Sequence, residues 1–381
     1  MVGLEVEVVR ATLVIGLVIG GLVYHLTRVS SGGVVTTPFL SLLVLTGRWA
    51  DIIGWAVVTL IVIGTIRLIA ARWPLPRAWL FYIGVFLATA IHVIGMKLST
   101  SPAVSELGSI GLFLAAGLYV CSGLTAYDAA RQGVVRTFAA TTLVTAATVA
   151  VMLVVRHLSQ TFGGAQQMVV ESPLRDPVLA LICVGMAVAM RVGPHWGTAG
   201  IIGGVYLLNI ASWQSLLVVI AFTLAGASVY RFIADALGLS NKDRFYALMA
   251  VGAIASWFGL FWAEYLGIPG SAEVAAFAIE PLIVIGLMIG ETVRYGVART
   301  AAGSVVVFAV TATAAWVIEN YPDTTALVVA AALAPALGII AASMVRIRRE
   351  WAIALQAGDR WGVAPANLSG VKVARMRLRR T

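Results

Sequence analysis

Apolar runs of bilayer-crossing length recur along this chain from end to end, and no other feature restricts its fold so strongly. They lie at about 7–26, 52–71, 78–96, 107–127, 134–155, 177–192, 213–233, 245–266, 274–291, 297–318 and 325–345. A crossing helix needs roughly 17–25 predominantly apolar residues, so the 177–192 run is marginal. Of the 381 residues, 60% are hydrophobic and 11% charged, far from the balance of a water-soluble domain. Lipid offers no hydrogen bonds to an open backbone, so runs of this kind fold as helices. The expected fold class is an all-α polytopic membrane protein.

One apolar run is too short to cross. Gly33-Val-Val-Thr-Thr-Pro-Phe-Leu-Ser-Leu-Leu-Val-Leu45 carries glycine, threonine and Pro38 at its start. Such a segment is tolerated at membrane depth only where protein or a water-filled cavity covers its backbone. A re-entrant element is expected there. A second run of the same kind begins at Gly200 and continues through Gly203, Gly204 and Leu208.

That recurrence belongs to a larger one. Asp128-Ala-Ala-Arg-Gln-Gly-Val-Val-Arg-Thr137 returns as Glu291-Thr-Val-Arg-Tyr-Gly-Val-Ala-Arg-Thr300, at a spacing of 163. The acid, Arg131/Arg294, Gly133/Gly296, Arg136/Arg299 and Thr137/Thr300 all match, and Gly123-Leu124 recurs as Gly286-Leu287. Gly33 and Gly200 match at 167, a difference that fits a loop deletion around 97–106. The chain therefore reads as two tandem repeats of four to five crossings each. The first occupies 1–160, a polar linker 161–176, and the second 177–320. An extra helix at 321–345 and a basic tail at 346–381 have no counterpart. The basic loops Arg67/Arg72/Arg77 and Arg231/Lys242/Arg244 hold equivalent places, which favours parallel halves over inverted ones. Both arrangements occur in transporters.

Charge is concentrated at the C-terminus. Arg346, Arg348, Arg349, Arg360, Lys372, Arg375, Arg377, Arg379 and Arg380, against Glu350 and Asp359, supply +7 of the net +9. A basic segment directly after an apolar helix is held on the cytoplasmic side, against anionic lipid. That placement, or an acidic protein partner, accounts for the charge without nucleic acid.

Several chemistries are excluded or disfavoured. Lys97, Lys242 and Lys372 are the lysines, and none follows a glycine, so there is no phosphate-cradling Gly-Lys-Ser/Thr loop. Cys121 and Cys183 sit inside apolar runs, and His25, His92, His157 and His195 lack a ligand partner at helical spacing. No metal, cofactor or catalytic group is expected. The polar residues that stand out are Glu280, ahead of Pro281 in mid-run, and the duplicated pairs Asp128/Arg131 and Glu291/Arg294. Residues three apart share a helix face, so each pair is a helix-end ion pair, a polar gate or a contact for a polyanion or partner. Arg136 and Arg299 accompany them. An intramembrane carboxylate costs roughly 2.5–3.5 kcal/mol at a helix centre, so Glu280 is either neutralised at a helix break or lines a polar path.

Each half resembles the PgsC/CapC family, the integral-membrane subunit of bacterial poly-γ-glutamate synthase. The resemblance rests on the 7–26 helix, the Gly33–Leu45 run, the Arg67–Arg77 loop, Gly123-Leu124-Thr125-Ala126, Arg131-Gln132-Gly133 and the 134–155 helix. The second half fits in order but more loosely, with Arg294-Tyr295-Gly296 in place of basic-Gln-Gly. Where family members tend to carry a proline before Gly-Leu, this chain has Ser122 and Ile285. It resembles a fused duplicate with one extra helix. The resemblance implies a bacterial cell-membrane subunit that is not catalytic alone. It would anchor an ATP-dependent, Mur-ligase-like amide ligase (PgsB/CapB-like), work beside a PgsA/CapA-like subunit, and assist passage of a polyanionic polymer. A stand-alone secondary transporter or channel and a passive membrane scaffold are the other readings the sequence leaves open.

Overall fold

The computed structural model describes residues 6–72, 77–100, 119–160, 177–198, 200, 203–209, 212–237, 241–275 and 280–356. Among them there is no strand. Fourteen α-helices follow one another: α1 (Val6–Thr27), α2 (Thr36–Leu45), α3 (Trp49–Arg72), α4 (Arg77–Thr100), α5 (Tyr119–Gln132), α6 (Val134–Gln160), α7 (Pro177–Val192), α8 (Gly203–Asn209), α9 (Trp213–Leu237), α10 (Asn241–Tyr265), α11 (Ser271–Ala275), α12 (Glu280–Tyr295), α13 (Val297–Asn320) and α14 (Thr325–Gln356). Eight of these, α1, α3, α4, α6, α9, α10, α13 and α14, are long and apolar enough to cross a membrane. Over the described residues the regular structure is all helical, with the length and composition of a multi-pass membrane protein.

Three sequence expectations are revised here. The run expected at 107–127 is described from Tyr119 onward, and its helix continues to Gln132. The 274–291 run is not one helix: α11 ends at Ala275 and α12 begins at Glu280. Pro281 thus sits in the first turn of a helix, where a missing N–H breaks nothing, rather than interrupting one. The helix expected to stop at 345 runs on to Gln356, so the boundary drawn at 346 falls inside α14. The 161–176 linker, the 97–106 loop beyond Thr100, and residues 357–381 of the tail lie outside the described residues.

Packing follows small residues. Without a hydrophobic drive between helices in lipid, close approach of backbones supplies the attraction. A Cβ added to Gly123 on α5 would lie 2.6 Å from Val85 Cα on α4, and one added to Gly252 on α10 would lie 2.6 Å from Gly286 Cα on α12. In the N-terminal half α5 lies against α3 and α4, and α6 against α1 and α2. In the C-terminal half α12 lies against α9 and α10, and α13 against α7 and α8. Between the halves α1 packs on α10 and α4 packs on α7.

The α1–α10 contact fixes direction. Trp257 Nε1 donates to Glu7 Oε2 at 2.6 Å, while Arg28 Nη1 donates to Asp243 Oδ2 at 2.7 Å. The start of α1 therefore meets the end of α10, and the two helices are antiparallel. The C-termini of α5, α9 and α12 reach the same end as that of α1: Gln132 meets Ser30, Tyr230 meets the Arg244 carbonyl, and Gly290 packs on Leu248. Arg191, near the end of α7, bonds Glu291 on α12, so α7 and α1 point the same way.

Candidate functional site: two carboxylates near the ends of α5 and α12

At the end of the bundle where α1 and α7 finish, exposed arginines gather: Arg28, Arg131, Arg136, Arg231, Arg244, Arg294, Arg299 and Arg346. The opposite end exposes Glu7, Glu264, Glu319 and Asp323, together with Arg48, which pairs with Asp51. Just inside the basic end, each half turns back after its first helix, and each turn is met by one carboxylate.

In the N-terminal half the acid is Asp128, buried on α5. Ser30 Oγ donates to its Oδ2 at 2.5 Å and the Gly33 N–H donates to the same oxygen at 3.1 Å. Arg131 Nη2 lies 3.7 Å from Oδ1, so the expected i, i+3 pair forms, with the Arg131 side chain 37% exposed. Gln132 completes the clamp. It accepts from the Ser30 N–H at 3.0 Å, and donates to the Ser30 carbonyl at 2.5 Å and to Thr137 Oγ1 at 2.9 Å. Thr125 Oγ1 and Thr36 Oγ1 both donate to the Gly32 carbonyl, and Thr141 Oγ1 donates to that of Ser31. A turn that enters an apolar bundle must satisfy its backbone from protein groups, and these side chains do so. Behind it Gly33 is buried at φ +101°, and Pro38 lies in the first turn of α2 against Gly16.

The C-terminal half is built differently. Glu291 on α12 is met by Arg191 of α7, whose Nη2 donates to Oε1 at 2.6 Å; their side chains are 14% and 7% exposed. The backbone of Thr198 lies beside the same carboxylate. Its expected partner Arg294 instead places its guanidinium 5.2 Å above the Tyr295 ring. Glu291 Oε2, Arg191 Nε and Thr300 Oγ1 have no hydrogen-bond partner. Gly200, buried at φ +78°, faces Leu287, and Gly204 in the first turn of α8 abuts Val307 and Cys183.

Helices α5 and α6 are separated by Gly133 (φ +101°), and α12 and α13 by Gly296 (φ +87°). Each glycine takes a dihedral that L-residues avoid, and the next helix restarts at once, with Thr137 N–H on Gly133 O and Thr300 N–H on Gly296 O, both at 3.1 Å. These breaks turn Arg136 and Arg299, in the first turns of α6 and α13, out to the exposed rim. Glu280 opens α12, and its side chain lies outside the described residues. It belongs to the other end of α12, apart from Glu291.

The structure thus brings Asp128 and Arg131 together, keeps the Arg294 charge near enough to act on Glu291 while its guanidinium rests over Tyr295, and gives Glu291 a hydrogen-bonded partner in Arg191 that sequence reasoning missed. The signal for Arg191 was present: it is a lone arginine closing the apolar run 177–192, a place where a charge needs a reason. Gln132, Ser30, Thr125 and Thr141 carried no comparable signal. Among the described residues no group of His, Cys, Asp and Glu could hold a metal ion. Comparison with protein-family models, curated proteins and solved structures finds no match.

Proposed function

We propose that this chain is the membrane subunit of a complex that makes and exports an amide-linked polyanion of the poly-γ-glutamate type. It anchors an ATP-dependent amide ligase, works beside a PgsA/CapA-like subunit, and helps the polymer leave. The observation that carries this reading is the division of charge between the two ends. Arg131, Arg136, Arg294 and Arg299 stand exposed at one of them, a surface suited to an acidic protein face, anionic lipid or a carboxylate chain. By the positive-inside rule that end is cytoplasmic, and the chain enters the tail there with Arg346 exposed.

The same reading takes the chain as a duplicated unit with parallel halves. Support comes from the matched packing of α5 and α6 with α12 and α13. The common direction of α1 and α7, and the paired glycine breaks, agree with it. So do Arg28 and His195, 167 residues apart, which hold φ +59° and +56°, a conformation uncommon outside glycine. The short helices α2 and α8 behind Gly33 and Gly200 are the re-entrant elements of that unit. A second reading, a secondary transporter built from the two repeats, is favoured by the buried Arg191–Glu291 pair.

Deleting the gene in the native cell tests the first reading. Loss of a cell-associated or secreted anionic polyamide, restored by the intact gene, is the expected result. An unchanged polymer inventory together with loss of uptake of a small solute favours the transporter.

A further inference from the structure

Two kinds of arginine share the basic end, and the helices that carry them differ. Arg131 and Arg294 lie at the ends of α5 and α12, which are enclosed: no residue from Val120 to Ala130, or from Pro281 to Val293, is exposed. Arg67, Arg231 and Arg244 lie instead on helices of membrane-crossing length that show apolar side chains outward. Each has an exposed tryptophan at the far end of its own helix: Trp49 with Arg67 on α3, Trp213 with Arg231 on α9, and Trp262 with Arg244 on α10. In all three pairs the separation is 18 residues. That is five full helical turns, so the two side chains share a face and stand about 27 Å apart along the axis. On α13 Arg299 and the exposed Trp316 are 17 residues apart. The hydrocarbon core of a bilayer is roughly 30 Å thick, and tryptophan gathers at its boundary with water. With the tryptophans at one boundary, these arginines fall at the other.

We propose that Arg67, Arg231, Arg244 and Arg299 form a belt that binds the headgroup phosphates of anionic phospholipid, and that Arg131 and Arg294 stand off the lipid. An arginine at that depth keeps its stem along apolar surface and extends its guanidinium to the phosphate layer. There its planar fork donates to two phosphate oxygens at once. Among the described residues Arg67, Arg231 and Arg299 meet no carboxylate, so their donors are open to an anion from outside the chain. The next residues after Arg67, Arg231 and Arg244 are Leu68, Phe232 and Phe245, all exposed. Apolar side chains at the level of the guanidinium suit acyl chains better than a water-borne acidic protein. Phosphatidylcholine carries its own cation beside the phosphate, so the belt selects lipid with net negative charge. The inference needs the crossing helices alone and not the polymer reading.

The test uses the purified full-length chain in detergent, with phosphatidylglycerol or phosphatidylcholine of identical acyl chains added to the micelles. Phosphatidylglycerol should raise the unfolding temperature by more than phosphatidylcholine does. Mass spectrometry of the intact protein should find it retained in preference. Arg67→Gln with Arg231→Gln and Arg299→Gln should lose most of the difference between the two lipids, while Arg131→Gln with Arg294→Gln should keep it. Because the readout compares two lipids on one protein, a change in a variant's own stability cancels. An equal response of the wild-type chain to the two lipids would overturn the proposal without any variant. So would a triple variant that keeps the whole difference, or an Arg131/Arg294 variant that loses it.

Discussion

Arg191 Nη2 lies 2.6 Å from Glu291 Oε1, and this contact ties the end of α7 to the end of α12 across a nearly buried interface. The corresponding acid in the N-terminal half, Asp128, is held by a serine hydroxyl and a backbone N–H instead. One end of the bundle thus carries two nearly buried carboxylates, one held by an arginine and the other by a hydroxyl and a backbone N–H.

Breaking the ion pair from one side should be costly. Arg191→Met leaves Glu291 buried without its cation, and such losses run to about 3–5 kcal/mol. Removing both charges with Arg191→Met and Glu291→Leu should recover most of that loss. Thermal unfolding of the purified variants in one detergent checks this, and a double variant no more stable than the single one contradicts the pairing.

Asp128→Asn should destabilise the N-terminal turn by about 1.5–3 kcal/mol, because the carboxylate receives charge-assisted bonds from Ser30 and Gly33. Ser30→Ala should cost about 1 kcal/mol, the ordinary worth of one hydrogen bond. Hydrogen exchange at Gly32 and Gly33 should quicken in both, and by more in Asp128→Asn. Equal protection in wild type and both variants argues against the clamp.

Close backbone contact at Gly123 and Gly286 predicts that leucine at either position separates α5 from α4 or α12 from α10. An added Cβ at Gly123 already lies 2.6 Å from Val85 Cα, and a backbone atom does not yield as a side-chain tip does. Both variants should show reduced folded yield in membranes, measured by fluorescence-detected size exclusion. Alanine at Gly286, where the nearest atoms are the end of the Met249 side chain at 3.3 Å, should be far milder.

Lysine keeps charge but loses the planar fork with which arginine grips carboxylates. Arg131→Lys with Arg294→Lys should therefore lower polymer output while insertion stays normal, and each single change should be milder. The structure sharpens this expectation, since Arg294 rests over the Tyr295 ring and is not committed to Glu291. Normal output from the double variant leaves these arginines as helix-end anchors only.

How much of this was readable beforehand depends on range. The all-helical membrane fold followed from run length and composition, and the matched blocks 128–137 and 291–300 pointed to the two carboxylates. The Asp128–Arg131 pair was legible because three residues along one helix is a local relation. Arg191–Glu291 was not, since its partners are 100 residues apart and meet only through the packing of α7 near α12. The clamp on Ser30 was hidden for a different reason. Threonine and glutamine in apolar helices most often bond their own backbone, so nothing marked Thr125, Gln132 and Thr141 as converging on one turn. Helix ends were misplaced at 274–291 and 345, where hydropathy alone cannot see a break or a polar continuation.

The most direct test of the account is capture of the tagged chain from its native membrane in mild detergent. The account predicts that an ATP-dependent amide ligase is retained at low ionic strength and released as salt screens the basic end, with Arg131→Lys/Arg294→Lys retaining less. A chain that holds no ligase under any ionic condition, and that alone moves a small solute across proteoliposomes, would contradict it.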